Sequence, residues 1–343
     1  MPPSASTSKS KPVPVAKSMN TDPSKARALS DERVRLSIVV PCYNEGATIQ
    51  QLHERVTRVA AAAVAGAYEL VLVNDGSGDD TWARLRHLTE IDGRVVAVNL
   101  SRNHGHQLAL SAGLAQARGE RVLILDADLQ DPPELLPQMM ALMDSGADVV
   151  YGQRLKRHGE SIFKRASAAC FYRVLDWLTD MRIPKDTGDF RLMSRRVVEQ
   201  LNAMPECQRF VRGMISWIGF EQVSVSYERQ PRVAGKSGYP LRRMVRLALD
   251  AITSFSIRPL RIASLLGLAF AGMGALGAVG AVVSWLVGET IPGWTSVMVV
   301  ILTIGGIQLT VLGIIGEYLG RLYVESKRRP LYLIEDIKRG GST

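Results

Sequence analysis

A chain of 343 residues with 42 Lys+Arg against 33 Asp+Glu has room for about two domains and carries a formal charge of +9. At 46% hydrophobic and 22% charged it is too apolar for a disordered protein, and three cysteines without a CxxC pair exclude a disulfide scaffold or a Cys-rich zinc domain. The mean hydropathy of +0.05 is high for a soluble protein, and the excess sits in the last hundred residues.

Residues 1–33 are rich in Ser, Pro, Lys and Ala and show no apolar periodicity. Such a segment buries too little surface to offset its ordering entropy, so a disordered tail is expected. No apolar stretch follows its lysines, which argues against a signal peptide and leaves the start of the chain in the cytosol. From Leu36 to Tyr227 short apolar runs alternate with helix-length segments. Strands are expected at Leu36–Pro41, Glu69–Asn74, Val95–Leu100, Arg121–Asp126 and Asp148–Tyr151, with helices near 46–65, 79–90, 104–117, 133–144 and 161–180. Continuous apolar strands separated by helices indicate an α/β domain, a mostly parallel sheet covered on both faces, over about 34–232.

Residues 233–260 then form a juxtamembrane segment. Leu241, Met244, Val245, Ala248, Ile252 and Phe255 recur at helical spacing, with Arg242, Arg243 and Arg246 on the complementary arc, which suits an amphipathic helix at a membrane interface. Two long apolar runs follow within 261–320, the first without a charged residue. Ile262–Val287 would be about 39 Å long as a helix at roughly 1.5 Å per residue, and Ser296–Leu319 carries only Glu317. Both exceed the roughly 20 residues needed to cross a hydrocarbon core. Arginines and Lys327 flank the pair, and the Gly288–Thr295 loop has none, so the positive-inside rule puts both ends and the 321–343 tail in the cytosol. The expected location is the inner (cytoplasmic) membrane, multi-pass. Gly316-x-x-x-Gly320 could support packing within or between protomers, so a homo-oligomer is considered. Aromatic content of 6% and arginines clustered beside the spans give no reason to expect nucleic acid as a partner.

In open α/β sheets ligands bind beyond the carboxyl ends of the strands. That directs attention to Tyr43-Asn44-Glu45, Asp75-Gly76-Ser77 and Asp126-Ala127-Asp128. Side chains at i and i+2 of an extended segment point the same way, so Asp126 and Asp128 can converge on a hard cation, Mg²⁺ or Mn²⁺, whose shell is completed by water and phosphate oxygens. A DxD also occurs by chance, and Asp131 before Pro132-Pro133 reads as a helix cap. Asp75 could accept hydrogen bonds from a base or ribose and Tyr43 could stack on a base, although Asp-Gly-Ser is equally a turn signal. His104 and His106 have no third ligand at metal spacing and read as loop residues near a helix start. Cys42 lacks a nearby base and is rejected as a nucleophile.

Pro41–Glu45, Val73–Ser77, Ser101–Gly105, Asp126–Pro133, Thr187–Leu192 and Gly235–Ser256 together resemble the family 2 glycosyltransferases acting on polyprenyl phosphates, in order over about residues 35–330. The bactoprenol glucosyltransferases are the nearer likeness and the dolichol-phosphate mannose synthases the more distant. The resemblance implies a GT-A (Rossmann-like) fold with a terminal two-helix hairpin, and an inverting, metal-dependent transfer from a nucleotide sugar to a lipid phosphate. It implies that Pro41, Tyr43, Glu45 and Asp75 contact the nucleoside, and that Asp126, Asp128 and Gln130 hold the metal and donor diphosphate. Asp189, in the Thr187-Gly188-Asp189-Phe190-Arg191-Leu192 block, would lie beside the reacting sugar and, with Asp128, count as catalytic. Arg212 would sit near the donor phosphates; Arg154, Lys164, Arg165 and Ser167 would receive the acceptor phosphate. UDP-glucose to undecaprenyl phosphate is the leading expectation, in service of cell-envelope polysaccharide modification. Mannose, galactose, N-acetylglucosamine or aminoarabinose donors stand behind it. A processive polysaccharide synthase is disfavoured by the single hairpin and the missing QxxRW, and a non-catalytic nucleotide-sugar-binding scaffold by the intact acidic motif.

Overall fold

The computed structural model describes residues 34–155, 187–228, 256–287 and 293–341. The 1–33 tail, the 161–180 helix with Lys164, Arg165 and Ser167, nearly all of the amphipathic segment and most of the 288–295 loop lie outside the described residues.

The first half alternates as its sequence suggests. Strands β1 (Leu36–Cys42), β2 (Tyr68–Asn74), β3 (Val95–Leu100) and β4 (Arg121–Ile124) are joined by helices α1 (Ile49–Val64), α2 (Thr81–Ile91) and α3 (His106–Gln116). Every residue of β1, β2 and β3 is buried, because both faces of a parallel sheet are covered. Helix α1 buries a single stripe, Ile49, Leu52, Val56, Ala60 and Val64, at spacings of three and four. It ends where Ala65 and Gly66 turn left-handed at φ 51° and 85°. The two faces make two cores: Leu36, Ile38 and Val40 pack toward α1, and Val39, Val71 and Val73 toward α3.

Pro41 sits inside β1 without loss. The β1–β4 ladder ends at Val39↔Ile124, where Val39 still accepts a bond from Leu125 N–H at 3.1 Å. Pro41 has the same orientation two residues on, where β4 is no longer paired, so no donor is needed there.

The second half departs from a simple parallel order. Helix α4 (Leu136–Asp144) leads to β5 (Val149–Arg154), but β6 (Thr187–Ser194) inserts antiparallel between β4 and β5. Helices α5 (Arg195–Ala203) and α6 (Val211–Ile218) precede β7 (Gln222–Tyr227). The eight-stranded sheet runs β7-β5-β6-β4-β1-β2-β3-β8. Its last member, β8 (Ile334–Arg339), pairs antiparallel with the edge of β3. It lies in what the sequence suggests is a plain tail.

Between β7 and β8 come α7 (Arg258–Val287, 30 residues) and α8 (Trp294–Ser326, 33 residues), both longer than the expected spans. They are apolar on all sides, with Leu268, Leu276, Leu286, Leu309 and Leu319 exposed. A hydrophobic surface of that extent is costly in water and acceptable against lipid chains. A Cβ on Gly316 or Gly320 would meet nothing within 4 Å, so the small-residue pair does not pack against α7. Because α8 leads into β8, a strand of the same sheet, the C-terminal end of the helix pair lies at the sheet domain. Glu325 Oε1 accepts from Cys207 N–H at 2.8 Å, and Tyr318 donates its hydroxyl to the Ser256 carbonyl at 2.6 Å.

Candidate active site

The acidic motif lies just past the end of β4. The strand stops at Ile124, and residues 127–128 form a turn rather than the expected extended continuation. Leu129 is left-handed at φ 56°, and Asp128 Oδ1 accepts from Gln130 N–H at 3.1 Å. The i, i+2 argument for convergence is therefore replaced by a turn in which Asp128 stabilises its own loop, while the Gln130 residue is buried.

Asp126 meets its partners across the sheet. The β4–β6 register pairs Ile124 with Arg191, and continuing it two residues sets Asp126 opposite Asp189. His106, the first residue of α3, lies between them. Its Nε2 is 3.2 Å from Asp189 Oδ2 and 3.6 Å from Asp126 Oδ1. Gln107 Nε2 donates to Asp189 Oδ2 at 3.1 Å, and Arg212 Nη2 donates to Asp189 Oδ1 at 3.1 Å. Buried Arg191 donates to the Asp189 and Gly188 carbonyls at 3.3 and 3.0 Å.

These surroundings push the two carboxyls apart. Burial drives Asp126 up to about 6; His106 opposes this, while Asp189, Asp131 and Asp128 add to it. Burial also raises Asp189, but the His106 bond and the charges of Arg212 and Arg191 outweigh it and hold Asp189 far below the usual carboxylate range. Asp189 is thus held ionised by several partners, whereas Asp126 has only His106, 3.6 Å away and shared with Asp189, to set against its burial. Asp126 Oδ1 is buried with no hydrogen-bond donor. An orphaned carboxylate oxygen beside further acids fits a divalent cation. Among the described residues no group of three metal-ligating side chains forms.

The nucleoside-side residues lie on the neighbouring loops. Tyr43 is 51% exposed beyond β1, open for stacking. Asn44 (φ 56°) donates its N–H to Ser77 Oγ at 3.0 Å and accepts from Gly78 N–H at 2.9 Å. Glu45 is engaged in its own turn, receiving the Thr48 hydroxyl at 3.0 Å. Asp75 is buried, and its carboxylate holds the 103–105 loop, accepting from His104 N–H at 2.7 Å and Gly105 N–H at 2.9 Å. Burial nevertheless leaves it above its ordinary value.

Arg154, at the end of β5, lies against Gly188, where any Cβ would come within 2.5 Å of its guanidinium. Its Nε donates to Tyr227 Oη at 3.2 Å, and Tyr227 in turn donates to Asp131. The cap position of the following 3₁₀ turn (Pro133–Leu135) falls on Pro132 rather than Asp131. Asp131 is a fully buried acid that helps to fix Arg154, 3.6 Å away.

The Glycosyl transferase family 2 model matches residues 37–201. The chain is 46% identical to the uncharacterized glycosyltransferase YkcC of Bacillus subtilis over 305 residues, covering 88% of this chain and 94% of that protein. This chain belongs to glycosyltransferase family 2. It is also 39% identical to the bactoprenol glucosyl transferase of Shigella phage SfV over 307 residues, 89% of this chain and 100% of that one. Among solved structures, the mannosyltransferase PcManGT of Pyrobaculum calidifontis, in complex with GDP-Man and Mn²⁺, matches 84% of this chain and 87% of its own at 16% identity and a TM-score of 0.41. Membership of the family, shown by the model match and these relatives, makes the chain a glycosyltransferase, and its mixed, mostly parallel sheet is the GT-A-like sheet expected of that family.

Within that family frame the structure gathers Asp126, Asp189 and Arg212 at one point, with Arg154 on the adjoining strand. It adds His106, Gln107, Arg191 and Tyr227, which sequence reasoning left aside. Only the Thr187–Leu192 block hinted at them, since a Gly-Asp pair beside a buried Arg is unusual in a strand.

Proposed function

We propose that this chain transfers a hexose, glucose first among the candidates, from a nucleotide sugar to a polyprenyl phosphate at the cytosolic face of the membrane, with inversion. The observation that carries the proposal is the meeting of Asp126, Asp189, His106 and Arg212 at the carboxyl edge of a GT-A sheet whose chain continues into two long apolar helices. Likeness to the phage bactoprenol glucosyl transferase runs over that protein's whole length and supports the lipid acceptor.

Asp126, Asp128 and Gln130 would hold a Mg²⁺ or Mn²⁺ ion, which when bound neutralises charge on the departing nucleoside diphosphate. Tyr43, with Pro41 and Glu45 behind it, would flank the base, and Asp75 would keep the 103–105 loop in place beside it. The acceptor, a phosphate monoester with a second pKa near about 6, is largely dianionic at neutral pH and needs little deprotonation. Both carboxylate oxygens of Asp189 are already engaged, Oδ1 by Arg212 and Oδ2 by His106 and Gln107, and these partners favour its ionised form, an arrangement suited to holding neighbours rather than taking a proton. Its role is to position. It fixes Arg212 toward the donor phosphates and His106 toward Asp126. Arg154, set by Tyr227 and Asp131, would draw in the lipid phosphate together with Lys164, Arg165 and Ser167. A lipid phosphate stays at the headgroup plane, so a hairpin with both ends on the catalytic side removes the need to extract the prenyl chain.

Incubating membranes that contain the chain with labelled UDP-, GDP- and other nucleotide sugars, then extracting lipid, tests this. Label in a lipid phosphate from one donor is expected. No label in lipid from any donor would overturn it.

A further inference from the structure

The strand beyond the membrane hairpin reaches the donor loops through side chains as well as backbone. In the β3–β8 pairing the register passes from Asn99↔Asp336 to Leu100↔Ile334, which leaves Glu335 as the extra residue of a bulge. Bulges re-aim a side chain, and here Glu335 turns to Asn99. Asn99 Nδ2 donates to Glu335 Oε2 at 2.8 Å, Asn74 Nδ2 donates to Asn99 Oδ1 at 2.7 Å, and Ser77 N–H donates to Asn74 Oδ1 at 3.3 Å. Ser77 Oγ then accepts from Asn44 N–H at 3.0 Å. Asn74 and Asn99 are buried.

The order of this chain has a physical origin. An amide can present either end, so a row of asparagines has two opposite hydrogen-bonding directions. An ionised carboxylate is acceptor-only. Placed at the head of the row, Glu335 obliges Asn99 to turn its NH₂ outward and its oxygen toward Asn74. Asn74 must then offer its own oxygen to Ser77 N–H. We infer that Glu335 is a positioning residue for the donor site: through Asn99 and Asn74 it sets the Asp75-Gly76-Ser77 turn and, by Ser77, the loop bearing Tyr43. The inference rests on the placement of the nucleotide at these loops proposed above. It goes further in making donor binding depend on a strand that lies after the membrane hairpin. Leu333 joins the same edge, accepting from Ser101 N–H at 2.9 Å beside the loop that Asp75 holds.

The test uses the full chain in detergent micelles, with UDP-glucose and GDP-mannose as probes, each in the presence of Mn²⁺. For whichever probe binds the unaltered chain, Glu335→Ala is expected to weaken binding about three- to tenfold, the scale of one lost charge-assisted bond. Glu335→Gln, whose carbonyl can still accept from Asn99, should stay within about twofold. Hydrogen exchange over residues 75–78 should quicken in Glu335→Ala and not in Glu335→Gln, and in turnover KM for the donor should rise while kcat holds. A strand that merely braced the fold would instead lower Tm without this split or rescue. If Glu335→Ala binds and exchanges like the unaltered chain, or if both variants are weakened alike, the inference is overturned and the proposed function stands. If the unaltered chain binds neither probe, the donor-site placement falls and the inference with it.

Discussion

Asp126 is built at a cost to stability, and removing its charge should show that cost. Raising a carboxyl from 3.8 to about 6 corresponds to about 3 kcal/mol at roughly 1.4 kcal/mol per pH unit. The side chain is 25% exposed, and solvent screening reduces the figure to about 2 kcal/mol. The folded pKa lies above the unfolded value, so it is the ionised form that destabilises the fold. The penalty is absent below about pH 4, grows as pH rises toward 6 and is complete above that. Asp126→Asn should therefore raise the Tm of the chelator-treated chain at pH 8 by about 4–8 °C, with the gain falling to about a third at pH 4.5 and vanishing only below about pH 4. Thermal unfolding in detergent, followed by tryptophan fluorescence, measures it. Added Mn²⁺ should stabilise the parent and not the variant, which is also expected to lose transfer. A lower Tm for Asp126→Asn at pH 8, or a gain that does not vary with pH, would refute the argument.

Other expectations follow from the same geometry. Asp189→Asn should keep more than about a tenth of the rate in the same transfer assay, because general-base catalysis typically contributes about 10²–10⁴-fold. Tyr227→Phe, which releases Arg154 and Asp131, should raise KM for the lipid phosphate about fivefold and leave that for the donor unchanged in steady-state kinetics. Chelation with EDTA should abolish transfer, and Mg²⁺ or Mn²⁺ should restore it in the same radiochemical assay. Deleting everything from Tyr239 onward removes β8 as well as the hairpin, so it should weaken nucleotide binding by titration in addition to ending lipid transfer.

The front half of the sheet could be read from the sequence because its signals are local. Each strand from Leu36 to Ile124 is a mainly apolar run, α1 carries its own stripe, and each turn carries Gly, Asp or Asn. The acidic motif could be read for the same reason. Its geometry could not, because Asp126 faces Asp189 only through an antiparallel strand sixty residues later in the chain, and hydrophobic pattern does not encode strand order. His106 shows the same limit: as a loop histidine it has no local sign of function, and only the packing of α3 over β1 and β2 brings its side chain between two carboxylates. Asp131 looked like a cap since it precedes two prolines, yet Tyr227 and Arg154 claim it from across the sheet. Strand β8 was hidden by charge. Ile334-Glu335-Asp336-Ile337-Lys338-Arg339 has the composition of a solvated tail, and an edge strand with one face in water tolerates that composition.

The most direct measurement pairs the purified chain with one labelled nucleotide sugar, a defined polyprenyl phosphate and a divalent cation, and counts sugars per lipid in the product. The account predicts one sugar for each lipid phosphate, formed by the parent and lost in Asp126→Asn. Polymer growing on the lipid, or label that reaches no lipid phosphate at all, would contradict it.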